Sequence, residues 1–271
     1  MRYRIQLSYS GADFCGWQIQ PGAPSVQGAL ETALYTLIGT PVTVVGAGRT
    51  DTEVNAVGYT AHFDAPAELD AVWLCYKLNA ILPASIVVHS VVPTEDDFHA
   101  RFDAVRREYT YFLHRTKDPF LDKTSFCFTY AGLDFELMNR AAALLLGTHD
   151  FSCFQKSGSD NKTTICTVSE AAWHPYTPTH VALFSSQDAI DRQGYWYFRI
   201  SADRFLRNMV RAVVGTLLEV GRGKRPISAS EAAPGCTIAP FDTLLDGGPR
   251  TASGESAPGH ALFLSHIDYK R

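Results

Sequence analysis

No stretch of this 271-residue chain reaches the roughly 18 consecutive apolar residues that a membrane span needs. The opening Met1-Arg2-Tyr3-Arg4 runs straight into alternating sequence, with no basic-then-apolar leader, which predicts a soluble, cytoplasmic protein with no membrane partner. The six cysteines (Cys15, Cys75, Cys127, Cys153, Cys166 and Cys236) form no C-x-x-C pair. That argues against a zinc framework or a thioredoxin motif and leaves reduced thiols serving as small core residues. Histidines do not gather at metal-ligand spacing: His62 and Asp64 are two apart, but no third ligand follows, so no metal site is predicted. A P-loop and a G-x-G-x-x-G are both missing, so nothing indicates a nucleotide cofactor. Positive charge is also short: 24 Lys and Arg against 28 Asp and Glu give a net charge of -4. A nucleic-acid partner would therefore have to be met by charge concentrated locally.

What is present is globular composition, 46% hydrophobic and 19% charged, patterned in short elements. Residues 2–9 alternate apolar and polar, the period of a half-buried strand. From Ser25, a candidate N-cap, Val26, Leu30, Ala33, Leu34, Leu37 and Ile38 form one helical face closed by Gly39. Strands are predicted over residues 42–45, 59–63 and 86–92, with a helix over 72–82 ended by Pro83. In the second half, strands are predicted over 105–115, 125–130, 163–173, 181–185 and 195–200. Asp134 caps a helix running toward Gly147, a long helix covers 202–220, and residues 262–269 return as a strand. Residues 157–161 and 247–259 read as polar, Gly-rich loops. The order predicts α+β layering, divided near residue 105 into domains 1–104 and 105–271.

Three stretches carry chemistry. Gly46-Ala-Gly-Arg-Thr-Asp51 joins two apolar strands, with glycines that permit conformations closed to other residues. Arg49 and Asp51 share a face if the segment is extended. A nearby arginine holds a carboxylate ionised, fit to act as nucleophile or base; a turn Asp beside a solvated Arg is the plainer alternative. Arg204, Arg207 and Arg211, at i, i+3 and i+7 of the predicted long helix, would form a positive ridge for phosphates or a carboxylate, or else a solvated face. Along residues 105–113, Val105, Arg107, Tyr109, Tyr111 and Leu113 would share one strand face. Basic and aromatic residues interleaved in this way suit RNA, although a core strand with snorkelling arginines reads the same.

Together these stretches resemble the tRNA pseudouridine synthase A family along nearly the whole chain. Tyr9-Ser-Gly-Ala-Asp-Phe-Cys-Gly-Trp-Gln-Ile-Gln20 is similar to its N-terminal strand and loop, and Pro24-Ser-Val-Gln-Gly-Ala-Leu30 to its first helix. Gly48-Arg-Thr-Asp51 resembles its catalytic motif. Phe98-His-Ala-Arg-Phe102, Arg107-Glu-Tyr-Thr-Tyr111, Gly147-Thr-His-Asp-Phe151, Phe205-Leu-Arg-Asn-Met-Val-Arg211 and Glu219-Val-Gly-Arg-Gly223 match later blocks. The sequence departs from the pattern after Asp51, where the usual Ala-Gly-Val-His is Thr52-Glu53-Val-Asn55, and at Ala261, where Gly is usual.

The resemblance implies two domains of related ferredoxin/RRM-like topology whose antiparallel sheets meet around a central basic cleft, the pseudouridine synthase fold. The first domain would carry the catalytic Asp, the second the stacking Tyr and the arginine helix. It implies an isomerase that acts on uridines 38, 39 and 40 of the tRNA anticodon stem-loop, as a homodimer and without a cofactor. Asp51 would be the catalytic carboxylate and Tyr109 would stack on the flipped uracil. Arg211 would pair with Asp51, Arg49 would hold the RNA, and Leu262 would line the pocket. Arg204, Arg207, Arg222 and Lys224 would be candidates for backbone contacts. A non-catalytic RNA-binding protein on the same scaffold, and a glycosidase-like hydrolase needing a second carboxylate, are the alternatives.

Overall fold

A computed structural model describes residues 1–159, 161–184 and 194–270. Along the chain it contains β1 (Arg2–Tyr9), α1 (Val26–Ile38), β2 (Val45–Gly46), β3 (Asn55–Asp64), α2 (Ala71–Ile81), β4 (Ile86–Thr94) and β5 (Ala104–His114). There follow β6 (Phe126–Cys127), α3 (Phe135–Ala143), β7 (Gly147–Asp150), β8 (Ile165–Pro175), α4 (Thr179–Phe184), β9 (Tyr195–Ala202), α5 (Met209–Gly221) and β10 (Leu262–Tyr269). This is the expected α+β class, with mostly antiparallel strand pairing.

The chain divides into two compact units, Met1–Glu108 with Phe263–Arg271, and Tyr109–Leu262. In the first, β1 lies between β4 and β3, antiparallel to both, and β2 pairs with β3. The order β4-β1-β3-β2, wound as strand–helix–strand–strand–helix–strand, is the ferredoxin-like arrangement. β10 adds a parallel pairing through Phe263 and Leu264, opposite Asn55 and Ala56 of β3. The alternation read in β1 is real: Tyr3, Ile5 and Leu7 are fully buried, as are Tyr59 and Phe63 of β3 and Leu30 and Leu34 of α1. Local signals set the bounds of α1, because Ser25 accepts from the Gly28 N–H and Gly39 closes the helix at φ 82°.

In the second unit the sheet runs β5-β9-β8-β7, with β8 antiparallel to both neighbours and β6 parallel to β5. Helix α3, N-capped by Asp134, packs on α5 and β8. With β6, β7 and α4 set aside, the order β5-α3-β8-β9-α5 repeats the strand–helix–strand–strand–helix order that opens the first unit, without visible sequence repetition.

Several expectations need correction. Of the 42–45 strand only Val45 pairs with a neighbour, together with Gly46 beyond it, and of the 125–130 strand only Phe126–Cys127. Residues 181–184 belong to a helix, not a strand, and Ser185 lies outside the described residues. The Thr177-Pro178-Thr179 start signal decides it, the Pro178 carbonyl accepting from Ala182 N–H. The long helix does not begin at 202: Ala202 ends β9, and Asn208 sits at φ 68°, a left-handed break before Met209. Not all six cysteines are core residues, since Cys127 and Cys236 are exposed.

Candidate active site

Arg49 and Asp51 stand on the first unit, in the loop between β2 and β3. Arg49 is exposed and Asp51 half-buried. Immediately after Asp51 the chain turns tightly, the Val54 N–H donating to the Asp51 carbonyl at 3.2 Å. Glu53 takes φ 65° in this turn, a left-handed conformation that side-chain-bearing residues adopt at a cost. Glu53 thus makes a left-handed turn without glycine. The Glu53 N–H donates to Phe14 O at 3.3 Å, which ties the turn to the loop after β1. Asn55, where histidine is usual, points inward: it is buried, and its Oδ1 accepts the Gly11 N–H at 2.9 Å. Thus Asn55 fastens the loop after β1 to β3.

Neither Gly46 nor Gly48 has a left-handed φ, so the reason for glycine at 46 is space rather than conformation. A Cβ there would stand 2.2 Å from the Tyr59 hydroxyl and 2.5 Å from the Trp17 ring. Trp17 packs on Tyr59 with centroids 4.3 Å apart, and Tyr9 meets the edge of Tyr59 at 5.6 Å. The Tyr9 hydroxyl is 2.9 Å from Thr50 Oγ1, in hydrogen-bond contact. From sequence alone Tyr59 reads as the start of a strand, and Tyr9 and Trp17 as members of the Tyr9–Gln20 block.

Tyr109, Arg211 and Leu262 belong to the second unit. Tyr109 is half-buried and meets Phe205 edge-on, with centroids 5.0 Å apart at 86°. Two residues further along β5, Tyr111 is fully buried, and burial pushes its hydroxyl pKa upward. Arg211 lies in the first turn of α5, and its Nε donates to Ala257 O at 2.7 Å while the Ala257 N–H donates to Arg211 O at 2.9 Å. The segment around Ala257 is itself laced to the helix. Gly254 N–H donates to Thr216 Oγ1 at 2.9 Å, and Asn208 Nδ2 donates to Ser256 Oγ at 2.7 Å. A Cβ at Gly215 would lie 1.7 Å from the Glu255 carbonyl oxygen, so only glycine allows this approach. Leu262 is buried at the start of β10, its N–H donating to Gly259 O. Ala261, where Gly is usual, is fully buried and accepts the Phe112 N–H at 3.0 Å.

The arginine ridge is not a helix face. Arg204 and Arg207 precede α5, on the far side of the left-handed Asn208, so the spacing that would align them with Arg211 does not apply. The exposed Arg207 is fixed through its carbonyl, which accepts the Lys156 N–H at 2.9 Å. Arg222 lies over the Tyr130 ring at 4.4 Å, a cation–π contact. Lys224 is exposed in the turn after α5.

Residues 141–270 match the family model described as tRNA pseudouridine synthase, which sets the class as pseudouridine synthase, an isomerase. Over nearly its whole length the chain is similar to the tRNA pseudouridine synthases A of Porphyromonas gingivalis (44% identical, 99% of this chain and 97% of that protein) and Parabacteroides distasonis (44%, 99% and 96%). That of Bacillus subtilis is 37% identical over 99% of each chain. The chain belongs to the tRNA pseudouridine synthase A family.

Proposed function

We propose that this enzyme converts uridine to pseudouridine at positions 38, 39 and 40 of the tRNA anticodon stem-loop, with Asp51 as its catalytic carboxylate, working as a cytoplasmic homodimer. The observation that carries this reading is the Gly48-Arg-Thr-Asp51 segment, tethered on both sides, in a chain whose family membership spans its length. In the reaction the C1′–N1 bond breaks, the uracil turns, and C5 bonds to C1′ while its proton is lost and N1 gains one. Oxidation state is unchanged and no group leaves, so the chemistry asks for no redox cofactor. The target nucleotide must leave its stack, at a cost of a few kcal/mol. Tyr109 offsets part of this by stacking on the uracil, for which a single aromatic face supplies roughly 1–3 kcal/mol.

Arg211 is assigned the counter-charge that keeps the carboxylate ionised, a task suited to a guanidinium because it stays protonated. Its bond to Ala257 O fixes the direction in which its remaining N–H groups point. Arg49 is assigned to the RNA and the flipped nucleotide, and Leu262 to the pocket wall. Arg204, Arg207, Arg222 and Lys224 are assigned to phosphates. These local charges reconcile RNA binding with the net charge of -4.

Asp51→Asn tests the assignment on unmodified tRNA. Pseudouridine formation is expected to vanish while tRNA binding persists; wild-type turnover by that variant overturns it. Tyr109→Phe is expected to keep most activity and Tyr109→Leu to lose it, and equal activity of the two would remove the stacking role.

A further inference from the structure

The backbone of the Asp51 loop is gripped by side chains that the reaction itself does not call for. The Tyr59 hydroxyl accepts the Gly48 N–H at 3.3 Å and donates to the Gly48 carbonyl. One phenol thus occupies both hydrogen-bonding groups of the residue preceding Arg49. Two positions on, the side chain of Thr50, buried between Arg49 and Asp51, is in contact with the Tyr9 hydroxyl at 2.9 Å. Both phenols belong to one aromatic cluster with Trp17. Trp17 adds a third tie, its backbone N–H donating to the Thr50 carbonyl at 3.3 Å. Gly46, lacking a Cβ, is what lets Tyr59 and Trp17 reach this position.

We infer that Tyr59, supported by Tyr9 and Trp17, is a positioning residue of the isomerisation: its hydroxyl sets the path of the Gly48–Asp51 backbone and thereby where the carboxylate stands. The inference rests on the reading of Asp51 as the catalytic carboxylate. Tyr59 lies at the middle of β3, fully buried, and its ring fills the core whether or not its hydroxyl does anything further. The two roles separate cleanly. The ring is a packing group, whereas the hydroxyl bonds to the loop backbone at Gly48. A loop free to shift its acid by even an ångström loses rate steeply, because the reacting groups must be held near their attack geometry.

The test compares Tyr59→Phe with wild type in single-turnover assays on unmodified tRNA, with tRNA affinity and Tm measured on the same preparations and Asp51→Asn run alongside. Tyr59→Phe keeps the ring, so its Tm is expected to stay within a few degrees of wild type. Its tRNA affinity is expected to stay within about twofold and its turnover rate to fall about tenfold. Tyr9→Phe, which removes the Thr50 contact, is expected to give a smaller fall of the same kind. Turnover within about twofold of wild type for Tyr59→Phe overturns the inference, and so does a loss confined to tRNA affinity. If Tyr59→Phe fails to fold, Tyr9→Phe carries the test by the same criteria. If Asp51→Asn is inert while both phenylalanine variants keep full turnover, the positioning role fails and the Asp51 assignment stands. If Asp51→Asn retains turnover, both fail.

Discussion

The loop that carries Asp51 and the helix start that carries Arg211 are held by different means. Beside Asp51, Gly46 is closed over by side chains, the Tyr59 phenol and the Trp17 indole, while the Tyr9 hydroxyl and the Trp17 backbone hold Thr50. Behind Arg211, Gly215 is closed over by main chain. Arg211 and Ala257 exchange hydrogen bonds, Gly254 bonds to Thr216, and the Glu255 carbonyl closes directly on Gly215. Side-chain contacts yield by rotation, whereas backbone contacts inside a close-packed region do not. The mount of the carboxylate is therefore adjustable where Gly46 meets it, and that of the guanidinium stiff where Gly215 does.

Adding one methyl group to each region sharpens this contrast. Gly215→Ala puts a Cβ against a carbonyl oxygen that is fixed at both ends, and this outweighs the roughly 1 kcal/mol that alanine would otherwise gain in a helix. A loss of about 3 kcal/mol is expected, a fall in Tm of about 6–12 °C for a chain of this size. Gly46→Ala meets a phenol and an indole, both able to shift, so its cost in stability is expected to be only about 1 kcal/mol. Its cost in turnover should be larger, about tenfold, because the shift displaces the groups that hold the Asp51 loop. Thermal melts beside single-turnover rates check both. Equal losses of stability in the two variants would dissolve the distinction between soft and stiff.

The two regions also differ in how far they could be read from sequence. The turn residues and apolar periods that define α1, α2 and β10 act within a few positions of themselves, so Ser25, Gly39 and Pro83 mark their elements correctly. The Gly48-Arg-Thr-Asp51 segment was legible because its motif is contiguous. What grips it was not, because Tyr59 reads as one more apolar residue of an alternating strand and shows its purpose only when β3 folds back beside β2. The arginine helix was misplaced for a related reason. A helical period continued through 202–208 on paper, but Ala202 pairs into a strand and the side chain of Asn208 holds Ser256, 48 positions away. No local propensity encodes a partner that distant. Gly215 likewise looks like a weak point in a helix until the Glu255 carbonyl is seen lying on it.

Glu53 gives the smallest and most discriminating effect. At φ 65° it bears a strain that glycine would not, and its exposed carboxylate follows two residues after Asp51, on a loop proposed to face a polyanion. Glu53→Ala removes the charge but keeps a Cβ in the left-handed region. Glu53→Gly removes both, at the price of a more flexible unfolded chain. The two variants should therefore share any gain in tRNA affinity, a gain that shrinks as salt screens the phosphates. Only Glu53→Gly should gain stability, by about 1 kcal/mol over Glu53→Ala, since a non-glycine left-handed residue costs at least that much. Denaturant midpoints and salt-dependent binding isotherms measure the two terms separately. If Glu53→Gly proves no more stable than Glu53→Ala, the turn after Asp51 is relaxed, and the adjustable character of this loop lies wholly in its tyrosine and tryptophan grip. If it is more stable yet turns over more slowly, the strain itself helps to direct the carboxylate, and the mount is stiffer than its side-chain contacts suggest.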